Sequence, residues 1–166
     1  RDVERSRGLG DVYKRQLWLC GSGEMEEEIR TYAAQDSRIR FFGFLPHEEA
    51  VQLQKQATVL VNPRTNQGEY TKYSFPSKTM EYMASGRPVM MFRLDGIPGE
   101  YDPFLTYIPE ESAASIRDTV ESLRKLSPSE LDAMGARGRE FVLKNKNRNV
   151  QMCRVLDFIH KEQSDA

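Results

Sequence analysis

At 166 residues the chain is long enough for one domain with a sizeable core and too short for two of ordinary size. Hydrophobic residues at 39% and charged residues at 30% are ordinary globular values, and no apolar run approaches the ~20 residues that a membrane-spanning helix needs. Net charge is −1, and with residues 1–16 set aside 19 basic residues face 22 acidic ones, so nucleic acid is not an expected partner.

Residues 1–16, RDVERSRGLGDVYKRQ, show no apolar periodicity, begin without Met and run abruptly into a strand-like segment. The DVYKRQ at 11–16 resembles an in-frame translation of the transposon-end adapter used to prepare sequencing libraries. Residues 1–16 are therefore expected to be an artefactual or disordered leader without function, and residues 17–166 to be the protein proper.

From Leu17 onward short apolar strands alternate with helices. Residues 17–20 form a strand, Gly21-Ser22-Gly23 a turn, and 24–34 a helix with Met25, Ile29, Tyr32 and Ala33 at helical spacing. A second strand spans 39–42 and closes at Gly43. Pro46 precedes a helix over 48–56, in which His47 belongs to the helix start. The third strand, 57–61, ends at Asn62-Pro63, and the polar segment 64–73 reads as an exposed loop. A helix from about Ser77 keeps Met80, Met83 and Ala84 on one face and stops at Gly86, a left-handed cap. The strand 88–94 follows, then the loop DGIPGEYDP, a short strand at 105–108, and helices over 113–126, 130–144 and 149–162.

This alternation predicts an α/β, Rossmann-like domain with a parallel sheet flanked by helices. Ligands in such folds sit beyond the carboxyl ends of the strands. Three loops occupy that position: 21–23, 62–77 and 95–101. Cys20 and Cys153 lie far apart without a pairing or metal motif, and both are expected to be reduced thiols in the core. Neither His47 nor His160 has metal-ligand neighbours, so no protein-held metal is expected.

The most specific stretch is YSFPSKTMEYMASGRPV at 73–89. Ser74, Ser77 and Lys78 surround a helix start, where unpaired N–H groups and the positive dipole end attract anions, a diphosphate being the natural occupant. Glu81 lies one turn deeper on the same face, where a carboxylate can accept from the hydroxyls of a ribose. Taken locally, Ser77 is equally well a helix cap and Lys78–Glu81 a solvated surface pair.

These residues resemble the C-terminal domain of GT-B-fold glycosyltransferases, specifically the retaining family often called family 4, over nearly all of 17–158. The matching landmarks are Gly21-Ser22-Gly23, Phe42-Gly43-Phe44-Leu45, the strand end at 59–63 and EYMASGRPV at 81–89. The resemblance implies one half of a two-domain enzyme, holding a nucleotide diphosphate sugar as donor substrate and no bound cofactor. The acceptor-binding N-terminal half would be missing, and any peripheral membrane association would run through that half.

By position Glu81 matches the second acid of the family's E-x7-E pair, the one that holds the donor ribose. Tyr73 stands where the first acid belongs, and Glu69 in the adjoining loop is the candidate substitute with the catalytic assignment. Gly21 and Gly23 either approach the donor with their backbone or simply turn the chain. Phe44 and Leu45 match the position beside the nucleobase, where their main chain reads the base and their side chains can belong to the core. Arg64 follows the third strand and can meet phosphate. The 96–101 loop either closes over the site or is a plain turn.

The FPSK start resembles transferases that build bacterial surface polysaccharides, which implies a cytoplasmic enzyme at the inner membrane surface. Two other readings stay open: a nucleotide-sugar epimerase of the same architecture, and a non-catalytic flavodoxin-like binding module. The sugar, base, acceptor and linkage are not written in this half.

Overall fold

The computed structural model describes residues 15–66 and 69–164, with the side chains of Glu69, Tyr70 and residues 162–164 outside that description. The predicted leader therefore falls outside the described residues, apart from Arg15 and Gln16. The chain forms two compact units, Arg1–Ala50 and Val51–Ala166.

In the first unit, β1 (Leu17–Leu19) pairs in parallel with β2 (Ile39–Phe41), Trp18 standing opposite Arg40, and α1 (Glu26–Gln35) connects them. α1 buries none of its residues, and the apolar contacts of this unit are thin. Trp18 meets Phe42 edge-on at 5.8 Å, while Arg30 and Arg40 lie over the rings of Phe41 and Phe42. The Arg38 guanidinium and amide beside Asp36 hold its carboxyl down at about 2.

α2 (His47–Gln56) leads into the second unit, where β3 (Leu60–Asn62), β4 (Val89–Phe92) and β5 (Leu105–Ile108) form a parallel sheet in the order β3-β4-β5. β3 starts three residues later than its apolar run predicts, because the Ala57 amide donates back to the Gln54 carbonyl and closes the end of α2. α3 (Ser77–Ala84) lies between β3 and β4 in sequence, and α4 (Ala113–Arg124), α5 (Pro128–Asn145) and α6 (Arg148–Ser164) follow β5. The α/β class with parallel strands and flanking helices is as expected, with the pairing divided between two sheets.

β4 explains why this unit holds together. All four of its residues are buried, as a central parallel strand requires, and they alternate between faces. Val89 and Met91 join Met83 of α3, Tyr101, Leu105 and Val142 of α5. Met90 and Phe92 join Ile108, Leu123 of α4 and Leu131 of α5. Ser127 and Glu130 form a capping box around Pro128 at the start of α5, and Ser112 caps α4. Gly86 takes φ +80 to end α3, as expected.

Both cysteines are exposed, which corrects the expectation of core thiols. Cys20 lies just past β1, at the end of a strand pair too small to enclose it. Cys153 sits on α6, whose Met152, Val155 and Phe158 are exposed too, so apolar composition there does not translate into burial. Among the described residues no helix is long and apolar enough to cross a membrane.

α5 crosses the end of α3 at very close range. A Cβ on Gly135 would stand 2.1 Å from the Gly86 carbonyl oxygen, whereas one on Gly138 would meet only ordinary contacts, the nearest the Met83 methyl at 3.7 Å. Helix propensity alone favours Gly→Ala by ~1 kcal/mol. Gly135→Ala is nevertheless expected to destabilise by roughly 1–3 kcal/mol through overpacking, while Gly138→Ala is neutral or stabilising. Thermal melts of the two variants check this, and equal behaviour would show that the crossing tolerates a methyl group.

Candidate functional site

The start of α3 is fixed to the carboxyl ends of two strands through one buried side chain. Thr79 has no exposed surface; its hydroxyl accepts from the Asn62 amide at 3.3 Å and donates to the Met91 sulfur at 3.7 Å. Asn62 ends β3 and pairs in register with Met91 of β4. Pro76 caps the helix from an extended conformation without a side-chain bond, and its carbonyl takes the Thr79 amide at 2.9 Å. Ser77 is thus the first helical residue rather than the cap. The Thr79 amide is already paired within the first turn.

Lys78 and Glu81 meet in the ligand-free protein, Nζ to Oε1 at 3.2 Å, with the lysine well exposed and the carboxylate about a quarter exposed. The same Oε1 receives the Gln54 side-chain N–H from α2 at 2.6 Å. Such an exposed pair is worth only ~0–1 kcal/mol, little enough for a ligand phosphate to compete for the ammonium. Ser74 and Arg64 also come together: the guanidinium donates to the Ser74 hydroxyl at 2.9 Å, and the Arg64 amide reaches the Asn62 side chain at 3.4 Å. Arg64, Ser74, Ser77, Lys78 and Glu81 therefore belong to one loop-and-helix segment at the carboxyl edge of the three-stranded sheet. Tyr73 projects from that segment, 89% exposed. Glu69 begins a 3-10 helix, Glu69–Lys72, and its side chain lies outside the described residues.

A second loop braces this segment. Asn66 accepts from the Asp95 amide at 3.1 Å and donates to the Arg93 carbonyl at 3.1 Å. A Cβ on Gly96 would stand 2.7 Å from the carbonyl oxygens of both Thr71 and Ser74, so only glycine lets the two backbones lie this close. The following turn, Gly99–Phe104, is a 3-10 helix with Tyr101 buried, and Ile97 before it is buried as well. Ile97 and Tyr101 thus anchor the 96–101 loop in the core as a wall, while Pro98, Gly99 and Glu100 stay exposed. Arg93 pairs with Asp102 and donates to the Tyr107 hydroxyl at 2.6 Å. Burial pushes the Tyr107 phenol up, with Arg93 pulling the other way.

In the first unit, Gly21 adopts φ +141 and Gly43 φ +66, conformations that favour glycine, and the Gly21 amide donates to the Gly43 carbonyl at 2.8 Å. Gly23 needs no such freedom and accepts from the Glu26 amide at 3.1 Å. Leu45 is half-buried, but Phe44 is 74% exposed, which corrects the reading of its side chain as core. Sequence reasoning assigns no role to Thr79, Gln54 or Asn66. Thr79 in particular carries no local signal, because its partners are 12 and 17 residues away in the chain.

The model of the family described as glycosyl transferases group 1 matches residues 5–125. Over 137 residues, 80% of this chain, the sequence is 28% identical to WcaL of Escherichia coli strain K12, whose name assigns it to colanic acid biosynthesis as a glycosyltransferase. The chain spans about a third of that relative, 34% of its length. A solved sucrose-phosphate synthase from Thermosynechococcus elongatus superposes with a TM-score of 0.69 over 91% of this chain and 39% of that one, at 20% identity, a likeness of fold.

Thr79→Val keeps the shape but removes the acceptor of the Asn62 amide. It is expected to cost about 1–3 kcal/mol, as for a half-buried donor left without a partner, read from the midpoint of denaturant unfolding. An unchanged midpoint would show that the hydroxyl does not fasten α3 to the sheet.

Proposed function

We infer function from one premise: the chain belongs to the group 1 glycosyl transferases. It is a glycosyltransferase domain, and we propose that it is the half that holds the donor, a nucleotide diphosphate sugar. The observation that carries this reading is the arrangement on α3, a cation at the first turn and a carboxylate one turn deeper, at the carboxyl edge of a parallel sheet. Lys78 and the Ser77 and Lys78 amides take the diphosphate, with Arg64 and the Ser74 hydroxyl on its other flank. Glu81 accepts from the ribose hydroxyls. Gly21, Gly23, Phe44 and Leu45 belong to the base and sugar end of the donor by their place in the resemblance.

The chemistry asked of this half is to stabilise a leaving group. As the bond between sugar and diphosphate breaks, negative charge grows on the phosphate oxygens, and a fixed cation with helix-end amides lowers the energy of that state. Glu69 is proposed as the acid that serves the sugar in place of the one that Tyr73 displaces. Family membership favours sugar transfer over the epimerase and flavodoxin-like readings. The likeness to WcaL supports a role in polysaccharide synthesis; a glycan or lipid-linked glycan acceptor and a place at the cytoplasmic face of the inner membrane are proposed with it. Acceptor binding is assigned to an N-terminal half outside this chain, in keeping with the third of the relative that the chain spans.

Calorimetric titration with uridine and guanosine diphosphates and the matching nucleosides tests the assignment. Wild-type chain is expected to bind a nucleoside diphosphate weakly and to transfer no sugar. Lys78→Ala should weaken the diphosphate far more than the nucleoside, since it removes a cation from phosphate. Glu81→Gln should weaken both alike, by roughly 1.5–3 kcal/mol for a charged acceptor lost. Unchanged affinities in either variant would return that residue to the surface pair it forms without ligand.

A further inference from the structure

Gln54 is the residue of the second unit that packing does not explain. It is the one residue of α2 in the buried class, 8% exposed, where an amphipathic helix ordinarily places leucine or valine. Its Nε2 donates to Glu81 Oε1 at 2.6 Å, and its Oε1 is buried without a hydrogen-bond partner among the described residues. A buried acceptor left unmet costs stability, and an apolar side chain of similar size would remove that cost. A position that retains the amide has a use for its N–H, which reaches Glu81.

We infer that Gln54 is a positioning residue for Glu81, an inference that rests on the nucleotide reading above. The amide N–H and the Lys78 ammonium both donate to Glu81 Oε1, and together they fix the rotation of the carboxylate about its own axis. A carboxylate held in one rotation presents its acceptors to the two O–H donors of a vicinal diol. In a nucleotide that diol is the ribose 2′- and 3′-hydroxyl pair. Gln54 then holds the Glu81 carboxylate from the α2 side.

The test uses the full chain, with uridine and guanosine diphosphates and their 2′,3′-dideoxy counterparts as probes. Gln54→Leu is expected to weaken the ribonucleotide by about tenfold, the worth of one to two hydrogen bonds, while leaving the dideoxynucleotide unchanged. Its Tm should hold or rise, because an unmet buried acceptor has gone. An equal loss for both nucleotides, or a falling Tm with lost pyrophosphate binding, would make Gln54 a structural residue and overturn the inference. The contact is also read without ligand: the NMR signal of the Gln54 side-chain amide should shift in Glu81→Ala. If it does not move, the inference fails while the nucleotide reading stands. If wild-type chain binds neither ribonucleotide, the nucleotide reading fails and the positioning role of Gln54 fails with it.

Discussion

The Thr79 hydroxyl, buried between Asn62 of β3 and Met91 of β4, is the contact on which the candidate site depends. A helix laid against a parallel sheet by apolar packing alone can slide or rotate by a fraction of a turn at modest cost, since dispersion contacts are non-directional. A hydroxyl that accepts from one strand end and donates to the next removes that freedom. It sets the height of α3 above the sheet and hence the direction in which Ser77, Lys78 and Glu81 project. Met83, one turn further on, is 1% exposed in the same core, so the polar tether and the apolar face of α3 agree. The Gly86–Gly135 crossing then anchors the other end of the helix, with backbone against backbone.

Under the proposed donor reading, electrostatics at this helix serve exchange rather than stability. Lys78 and Glu81 satisfy one another without ligand, yet the lysine is exposed enough that water screens the pair. An arriving diphosphate offers the ammonium more charge than one carboxylate oxygen does. Glu81 would lose that partner as its ribose contacts form. Gln54 is what keeps the carboxylate aimed through that exchange, since its hydrogen bond is half-buried and independent of Lys78.

Elements with a clear period or a covalent signal were legible in the sequence: the alternation of strands and helices, the Pro46 helix start, the left-handed Gly86, and the Ser77–Glu81 spacing. What escaped was set by tertiary contact. Gln54 reads as a polar residue on a polar helix, and its burial is decided by α3, which comes 27 residues later. Gly96 sits in a loop already rich in Gly and Pro, where its tight approach to Thr71 and Ser74 leaves no local mark. Phe44 and the cysteines erred the other way, because apolar character was equated with burial in places where the element is too small to cover it.

The loops around α3 add a consequence for affinity. Loop-built sites usually lose binding energy to ordering, roughly 0.5–1.5 kcal/mol for each side chain that must be immobilised. Here the segment before α3 is already held: Asn66 bonds to the backbone of 93–95, Gly96 lies against Thr71 and Ser74, and Arg64 is fixed to Ser74 before any anion arrives. Tyr101, tilted against Phe75 at 4.9 Å and edge-on to Phe141 at 5.1 Å, pins the far side of the same wall to α5. Most of the ordering cost at the phosphate end has therefore been met during folding. Among the described side chains at this end, Lys78 and the Tyr73 ring stay exposed. Tyr73 stands where the resemblance places an acid, so the acid that serves the sugar has to come from another residue, the role proposed for Glu69.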